Sequence, residues 1–304
     1  RTQGGAALVR DLPALPVQYA DYAAWEQERL TQGEAERQLA YWTSQLDGVS
    51  ALPLVPEHAR PPTASHAGAE VEHVLPASVH DAVEAIAREA GTTRFVVVLA
   101  GFAALLARYS GAEDIAIGTP VAGRNHPDLE GLIGCFVNTL VIRATVEPHL
   151  TFRRLVADVR DLVVEAQQHQ TVPFEHVVEA LAPDRDLSRT PLFQVLFNYA
   201  EPAPAVHEEG APPATDVTIE PLDAASQTAK FDLTLTATKL SQAYALGLQF
   251  RTDLLEPSLA RQMLAHYARL LAAGLMNPDK VLAEHPQMEA AEHTQALADS
   301  RGHD

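Results

Sequence analysis

The sequence predicts an α/β fold in which helices pack on a face of a mixed β-sheet. Three observations favour this class. Strand-like and helix-like segments alternate between residues 71 and 168, strand-like segments follow one another directly near residues 216–253, and the composition is globular. Hydrophobic residues make up 47% and charged residues 20% of the 304 residues, close to the averages for soluble domains. A disordered or collagen-like chain is thereby excluded, and one large domain or two modest ones are expected.

Two helices and an extended connector are predicted for the first 68 residues. Residues 19–46 are rich in good helix formers, with aromatic and leucine residues at near-helical spacing and a break at Gly33. A series of prolines then marks an extended connector that runs to Gly68: Pro53, Pro56, Pro61 and Pro62. Because the chain begins without Met and without a preceding helix or strand, we expect it to be cut from a longer polypeptide.

The central segment is predicted to alternate between strands and helices. Val71 lies in an alternating strand, and Ser78 with Asp81 predicts a capping box for a helix that ends at Gly91. The next helix has apolar residues at three- and four-residue steps, namely Phe95, Val98, Leu99, Phe102, Leu105, Leu106 and Tyr109. Residues 114–123 and 135–146 are predicted to be strands on either side of a glycine-bearing loop.

The C-terminal half is predicted to hold two further helices, four strands and a last helix. Thr151 is a candidate cap for a long helix, and Pro173 begins a shorter one. Strands are predicted at 191–200, 216–222, 230–238 and 243–253, with a proline-rich loop at 201–215. Pro257 begins the last helix, which runs to about Gly274, and a polar tail follows.

The charge balance excludes several classes of partner. Asp and Glu total 40 against 22 Lys and Arg, a formal net charge of −18 at pH 7. Such a chain repels phosphate backbones and anionic lipid surfaces. It also has no apolar run of the roughly 18 residues that a membrane span requires and no signal-peptide core. We therefore expect a cytoplasmic protein that binds neither nucleic acid nor membrane.

Common catalytic and metal-binding signatures do not occur in the sequence. It contains no G-x-S-x-G, GxxxxGK[ST], GxGxxG or HExxH motif. His169 and His176 have no further ligand at metal spacing, so we interpret them as helix-end residues and expect no metal site. The single cysteine, Cys135, cannot form an internal disulfide. We interpret it as a small buried thiol, and Arg143 as a surface charge.

Asn138 is the residue whose role the pattern leaves open. It shares the more apolar side of its predicted strand with Phe136, Leu140 and Ile142. A buried carboxamide must find hydrogen-bond partners. Asn138 therefore either ties the fold together or faces a cavity.

Four blocks, in order along the chain, resemble motifs of the condensation domain of non-ribosomal peptide synthetases. They are YADYAAW at 19–25, IGCFVNTLVIR at 133–143, QHQTVPFEHVVEAL at 168–181 and RDLSRTPLFQVLFNY at 185–199. The similarity extends from about Leu15 to Leu282. It implies a chloramphenicol-acetyltransferase-like lobe, one of two that enclose a tunnel. It also implies three regions: a crossover segment and connector at 1–68, a C-terminal lobe at 69–282, and a linker towards an adenylation domain at 283–304.

The resemblance also implies a reaction and its partners. In that family an upstream acyl or peptidyl thioester is joined through an amide bond to a downstream aminoacyl thioester. Both are carried on phosphopantetheine arms of carrier domains, so no cofactor is expected to bind the chain directly. The implied partners are an N-terminal lobe of the same domain, the upstream and downstream peptidyl carrier domains, and an adenylation domain.

Site residues are carried over only where the blocks match. Asn138 and the preceding loop residues Gly123, Arg124 and Asn125 are expected at the substrate tunnel. Architectural roles are expected for Arg185, Asp186, Arg189, Pro191 and Phe174, with Glu175 also structural.

The sequence departs from the family in one respect. The family's catalytic motif is HHxxxDG, and this chain has no His-His pair; its only Asp-Gly, Asp47-Gly48, has no preceding histidine. No catalytic residue is therefore expected within the chain, which we predict to be inactive alone. Two alternatives remain: a non-catalytic lobe that docks carrier or tailoring proteins, and a lobe of a related epimerisation or cyclisation domain. The FVNT and PLFQ stretches favour condensation.

Overall fold

The computed structural model describes residues 14–31, 33–54, 57–181, 186–201 and 227–289, together with Glu292 and Thr294. Within these ranges the α-helices are α1 (Tyr19–Thr31), α2 (Glu34–Gln45), α3 (Ala77–Glu89), α4 (Arg94–Ser110), α5 (Phe152–Gln168), α6 (Phe174–Leu181) and α7 (Pro257–Met276). The strands are β1 (Gly68–Leu75), β2 (Asp114–Val121), β3 (Asn138–Thr145), β4 (Val195–Ala200), β5 (Leu233–Lys239) and β6 (Tyr244–Arg251). Short 3-10 helices lie at Pro127–Leu129 and Leu282–Glu284.

The six strands form one mixed sheet in the order β1-β6-β5-β4-β2-β3. The pairs β2–β4 and β4–β5 are parallel, and the other pairs are antiparallel. The predicted mixed sheet is therefore confirmed. Between β2 and β4 the sheet needs a glycine, since a Cβ at Gly118 would lie 2.2 Å from a ring carbon of Phe193.

Helix α4 lies at the centre of the core, where it packs against α3, α5, α7 and strand β2. Its face towards α7 includes Gly101, whose missing side chain leaves room for Leu271. Both sides of β3 are buried, with Leu140 and Ile142 on one side and Val141 on the other. Helix α6 contacts both α2 and β3, so this pair of helices lies over the edge of the sheet.

Local signals fix most helix ends but not all of them. The Thr151 hydroxyl accepts a hydrogen bond from the Arg154 N–H at 3.1 Å, as the predicted cap requires. Gly33 separates α1 from α2 with a left-handed φ of 80°. The capping box at Ser78 was wrong, because α3 begins at Ala77 after Pro76 and has no side-chain cap. The strand predicted from Cys135 begins three residues later, at Asn138, and the strand predicted at 216–222 lies outside the described residues.

The segment after α7 packs against the lobe. Leu282 and His285 are buried, and the Arg108 guanidinium on α4 donates to the carbonyls of both residues. The buried His266 on α7 lies 2.7 Å from the Tyr109 hydroxyl and 2.8 Å from a carboxylate oxygen of Glu292. Residues 283–289, for which we predicted a linker, are thus held on the surface formed by α4 and α7.

Candidate functional site

A cavity of about 360 Å³ brings together three of the four sequence blocks. We call it the α1 cavity, because α1 forms one wall; the other walls are the loop 123–138 and the turn 169–175. Its lining residues are Tyr22, Trp25, Glu26, Arg29, Gly123, Asn125, His126, Leu129, Cys135, Phe136, Val137, Asn138, Gln170, Thr171, Pro173 and Glu175. Three of the four residues expected at a tunnel therefore lie on one cavity, and Arg124 does not line it.

Asn138 lies at the base of the α1 cavity, where β3 begins. Its amide nitrogen donates to the carbonyls of Gln170 at 2.9 Å and Val172 at 2.8 Å. Its carbonyl oxygen accepts from the N–H groups of Thr139 at 2.8 Å and Phe174 at 3.0 Å. These bonds use both donors and both lone pairs of the carboxamide. Asn138 therefore ties β3 to the turn 169–175 and also borders the cavity, so both roles left open by the sequence meet at this residue.

The same turn is held from its other side by α2. The Gln38 side-chain oxygen accepts from the N–H groups of Thr171 at 2.9 Å and Val172 at 3.0 Å. The Trp42 indole donates to the carbonyl of His169 at 2.9 Å. Gln38 was not among the predicted site residues. The available signal was a glutamine one turn before Trp42, on the buried stripe of α2.

His169 ends α5 as a packed residue. Its ring stacks on Tyr41 with the centroids 3.9 Å apart and an interplanar angle of 7°. Its Nδ1 lies 2.9 Å from the carbonyl oxygen of Glu165. The pKa of Tyr41 is raised to about 12, because burial and the nearby Glu165 charge disfavour the phenolate.

The loop wall of the cavity depends on a close backbone approach at Gly123. This residue has a φ of 66°, and a Cβ there would lie 1.8 Å from the carbonyl oxygen of Phe136. Its neighbour Arg124 is half-buried, donates to the Leu129 carbonyl and lies over the Phe136 ring, 4.2 Å from the centroid. Arg124 therefore stabilises the loop, and the exposed Asn125 lines the cavity.

The α1 wall combines aromatic rings with charged groups. The Tyr22 hydroxyl donates to Glu26 at 2.7 Å, and burial together with this carboxylate raises the pKa of Tyr22. The Arg29 guanidinium lies 4.6 Å from the Trp25 ring centroid and pairs with Glu34. This pairing lowers the pKa of the Glu34 carboxyl. Trp25 keeps 48% of its surface exposed.

Cys135 is exposed, so our expectation of a buried thiol was wrong. Strand β3 begins only at Asn138, which leaves Cys135 in the loop that lines the α1 cavity. Its carbonyl accepts from the Tyr19 hydroxyl at 2.8 Å. A Cβ at the neighbouring Gly134 would lie 2.3 Å from the Tyr19 ring, so this close packing requires the glycine.

The fourth block forms a turn beside a second, more open cavity of about 1000 Å³. Asp186 accepts from the Ser188 N–H at 2.8 Å and lies 3.4 Å from the Arg189 guanidinium. Hydrogen bonding from the Ser188 side chain and N–H, together with the Arg189 charge, lowers the pKa of Asp186. Pro191 precedes Leu192, a non-glycine residue with a φ of 66°. The predicted Arg185 lies outside the described residues. Phe174, also expected to be architectural, packs on Phe193 with the ring centroids 5.5 Å apart.

A buried ionic cluster holds the turn 186–193 in place. Arg251 is 2% exposed and donates to the carbonyl of Ser188 at 2.8 Å. Arg60 donates to the same carbonyl at 3.1 Å and pairs with the buried Asp232. Asp253 pairs with Arg251 at 2.6 Å, which lowers the pKa of the Asp253 carboxyl. The connector, β5, β6 and the turn 186–193 are thereby joined at one point.

Among the described residues, no group of three His, Cys, Asp or Glu side chains is arranged to hold a metal ion. None of the helices in these described ranges has by itself the length and apolar composition of a membrane span. The helices α3 and α4 meet that criterion only as a pair, and this pair is bent by 107°.

The chain matches a family and a set of relatives over nearly all its length. A family model described as "Condensation domain" matches residues 6–297. Surfactin synthase subunit 1 of Bacillus subtilis (strain 168) is 38% identical over 282 residues, covering 92% of this chain and 8% of that protein. Gramicidin S synthase 2 of Brevibacillus brevis is 35% identical over 289 residues, covering 94% of this chain and 6% of that protein.

A solved structure shares the fold. The X-domain from teicoplanin biosynthesis superposes with a TM-score of 0.79 at 29% identity, covering 91% of this chain and 63% of that chain. Its complex with OxyB gives the same TM-score and identity. The chain thus spans a small part of the curated relatives and less than two thirds of the solved X-domain chain.

Proposed function

The chain belongs to the condensation-domain family of non-ribosomal peptide synthetases, and from that membership we propose that it helps to join two carrier-bound thioesters through an amide bond. The observation that supports this activity is the α1 cavity, where three blocks of the family pattern meet. Its volume of about 360 Å³ lies in the range of small-molecule pockets. We assign the reacting ends of the two substrates to this cavity.

The reaction is an acyl transfer whose atoms balance without a redox partner. The amine nitrogen of the downstream aminoacyl thioester attacks the carbonyl carbon of the upstream thioester, a C–N bond forms and the C–S bond breaks. The upstream phosphopantetheine arm leaves as a thiol, and the amine loses one proton. Holding both thioesters in one cavity supplies proximity. An α-amine with a pKa near 8 must be deprotonated to attack.

We assign distinct tasks to the chain and to the residues that complete the site. The chain supplies the cavity walls, with Asn138 and Gly123 setting the positions of the turn and the loop. The amide nitrogen of Asn138 is bonded to two carbonyls, so a direct bond from it to substrate would replace one of these contacts. The histidine that accepts or orients the amine proton belongs, in this proposal, to an HHxxxDG segment outside the 304 residues.

The regional assignment is part of the same proposal. Residues 1–68 serve as the crossover segment and connector, 69–282 as the C-terminal lobe, and 283–304 as the linker towards an adenylation domain. The ion pair between Arg60 of the connector and Asp232, the residue before β5, supports a connector fixed to this lobe. The partners are an N-terminal lobe, two peptidyl carrier domains with their phosphopantetheine arms, and an adenylation domain.

A chimeric synthetase tests the proposal. The matching residues of gramicidin S synthase 2 are replaced by this chain, and the carriers on both sides are loaded. We expect an amide-linked product on the downstream carrier, detected by mass spectrometry of the released arm. The matched control changes both histidines of the HHxxxDG motif in that synthetase to Ala and is expected to give no product.

The outcomes separate the candidate reactions. A soluble chimera with loaded carriers and no elongated product, beside an active parent, would refute condensation. Inverted stereochemistry or a heterocycle in place of elongation would assign the chain to an epimerisation or cyclisation domain. Product formation by the isolated chain would contradict the assignment of the catalytic histidine to a segment outside these 304 residues.

A second candidate function is a non-catalytic docking lobe. The observation that favours it is the close match to the X-domain, which has been solved in complex with OxyB. In this case the chimera binds its carriers or a tailoring protein with unchanged affinity but transfers no acyl group. Titration calorimetry with a loaded carrier distinguishes such a lobe from a chimera that has lost both carrier binding and acyl transfer.

A further inference from the structure

We infer that Gln38 is a positioning residue for the α1 cavity, acting through the turn 169–175. This inference rests on the proposed function only in treating that cavity as the place where substrate reacts. Gln38 lies outside all four blocks and does not line the cavity. It is 6% exposed and lies on α2, behind the turn.

Gln38 supplies a hydrogen-bond acceptor for two backbone N–H groups of the turn. The N–H groups of Thr171 and Val172 both donate to the Gln38 side-chain oxygen, at 2.9 Å and 3.0 Å. The turn between α5 and α6 is too short to satisfy these donors within a helix or a sheet. A buried N–H without a partner is costly, so the turn depends on this carboxamide.

Two carboxamides from different elements hold the turn, Asn138 from the start of β3 and Gln38 from α2. Asn138 binds the carbonyls of Gln170 and Val172, and Gln38 binds the N–H of Val172 and of Thr171. Gln170, Thr171 and Asn138 line the cavity. Loss of either carboxamide therefore changes the shape of a cavity wall.

Gln38 also links this turn to the α1 wall of the cavity. The Gln38 amide nitrogen donates to Glu34 at 3.1 Å. Glu34 pairs with Arg29, whose guanidinium lies over the Trp25 ring. Arg29 and Trp25 line the α1 side of the cavity. Gln38 thus connects both walls through one chain of hydrogen bonds and charges, with α2 as the rigid support.

Hydrogen exchange tests the positioning without any assay of function. In the full chain, Gln38→Leu removes the acceptor, and the Thr171 and Val172 amides are expected to exchange at least about tenfold faster by NMR. The control is Gln45→Leu on the same helix, whose backbone carbonyl binds Arg143 and which does not line the α1 cavity. Unchanged exchange at both amides in a folded Gln38→Leu chain would overturn the inference.

Conservative variants provide the second test and guard against a simple loss of folding. Gln38→Glu keeps the acceptor oxygen but replaces the donating amide nitrogen with a second carboxylate oxygen against Glu34, so partial protection is expected. The double variant Glu34→Gln/Gln38→Glu restores a donor between the two side chains and is expected to regain most of the protection. Equal exchange in the double variant and in Gln38→Leu would show that the hydrogen bonds do not set the turn.

The chimeric synthetase then links position to turnover. Gln38→Leu is expected to lower kcat about tenfold, which corresponds to a rise of about 1.4 kcal/mol in the activation free energy. The KM for the loaded carrier should change little. The double variant is expected to recover activity in step with its exchange protection. An inactive parent chimera would refute the proposed function, and the exchange result alone would then decide the role of Gln38. If Gln38→Leu disturbs the exchange but leaves kcat unchanged, the proposal that the position of the turn affects turnover is refuted.

Discussion

Gln38 and Asn138 hold the two backbone groups of the same residue, Val172. The Gln38 side-chain oxygen accepts the Val172 N–H at 3.0 Å, and the Asn138 amide donates to the Val172 carbonyl at 2.8 Å. One carboxamide comes from α2 and the other from the start of β3. The turn between α5 and α6 is therefore positioned by side chains that are far apart in the sequence.

The charge at position 138 is predicted to control stability with pH. In Asn138→Asp, the carboxylate would face the carbonyls of Gln170 and Val172 with no proton to donate. We expect the free energy of unfolding at pH 7 to fall by about 3 kcal/mol. Burial beside carbonyls raises the folded-state pKa of such an Asp, so the loss is smallest below the usual Asp range and grows as the pH rises through that pKa. Urea unfolding at pH 4 and pH 7 measures this, and an equal cost at both would contradict it.

Gly123 is predicted to tolerate no side chain. Gly123→Ala combines a left-handed φ of 66° with a Cβ 1.8 Å from the Phe136 carbonyl. We expect a loss of about 3 kcal/mol in the free energy of unfolding. Gly48→Ala is the matched control, because Gly48 has a φ of 65° and nothing within 4 Å of its Cβ position. It should cost only about 1 kcal/mol, and equal losses in the two variants would rule out the close approach as the cause.

Acid sensitivity is predicted at the cluster around Arg251. The pKa of Asp253 is lowered from its usual 3.8 by the Arg251 guanidinium, so the folded state gains stability above that value and loses it as the pH falls through the lower folded-state pKa. In Asp253→Asn we expect about 2 kcal/mol less stability at pH 7. The difference from the parent chain should shrink towards pH 2 in thermal unfolding curves. Asp161→Asn, an exposed carboxylate beside Arg160, serves as the control and should change little.

The segment after α7 is predicted to be held by His266. In His266→Phe the contacts to the Tyr109 hydroxyl and to Glu292 are lost. We expect faster hydrogen exchange at residues 282–289 and earlier proteolysis there, with the sheet unchanged. The exposed His58, which pairs with Glu256, provides the control variant His58→Phe. Identical protection of residues 282–289 in both variants would show that His266 does not hold the segment, and would leave the Arg108 and Arg269 contacts to do so.

The exposed thiol offers a direct probe of the α1 cavity. Cys135 lines this cavity and is exposed, so we expect one equivalent of thiol reagent to react with the native chain and none with Cys135→Ser. An aminoacyl pantetheine amide at saturating concentration should slow the reaction at least about tenfold if it fills the cavity. Labelling that needs denaturant would contradict the exposure of Cys135, and labelling unaffected by the amide would contradict its binding at this site.

Local patterns in the sequence predicted most of the elements correctly. The three- and four-residue repeats gave α4 and α5, the Thr151 cap and Pro257 marked helix starts, and Gly33 marked the break between α1 and α2. These features depend on residues close together in the sequence, so they can be recognised without knowledge of the fold. The four ordered blocks also identified the family, because each is a short string of residues that can be compared directly.

Only the tertiary structure decided which side chains share a partner. The sheet order, the carboxamides on Val172, the two arginines on the Ser188 carbonyl and the exposure of Cys135 depend on residues that folding brings together from distant parts of the chain. Periodicity shows that Asn138 needs partners and that Gln38 lies on a buried stripe. Their partners, however, are backbone N–H and C=O groups, which all residue types except proline carry alike. Sequence patterns therefore locate the elements, whereas packing chooses among equivalent N–H and C=O groups.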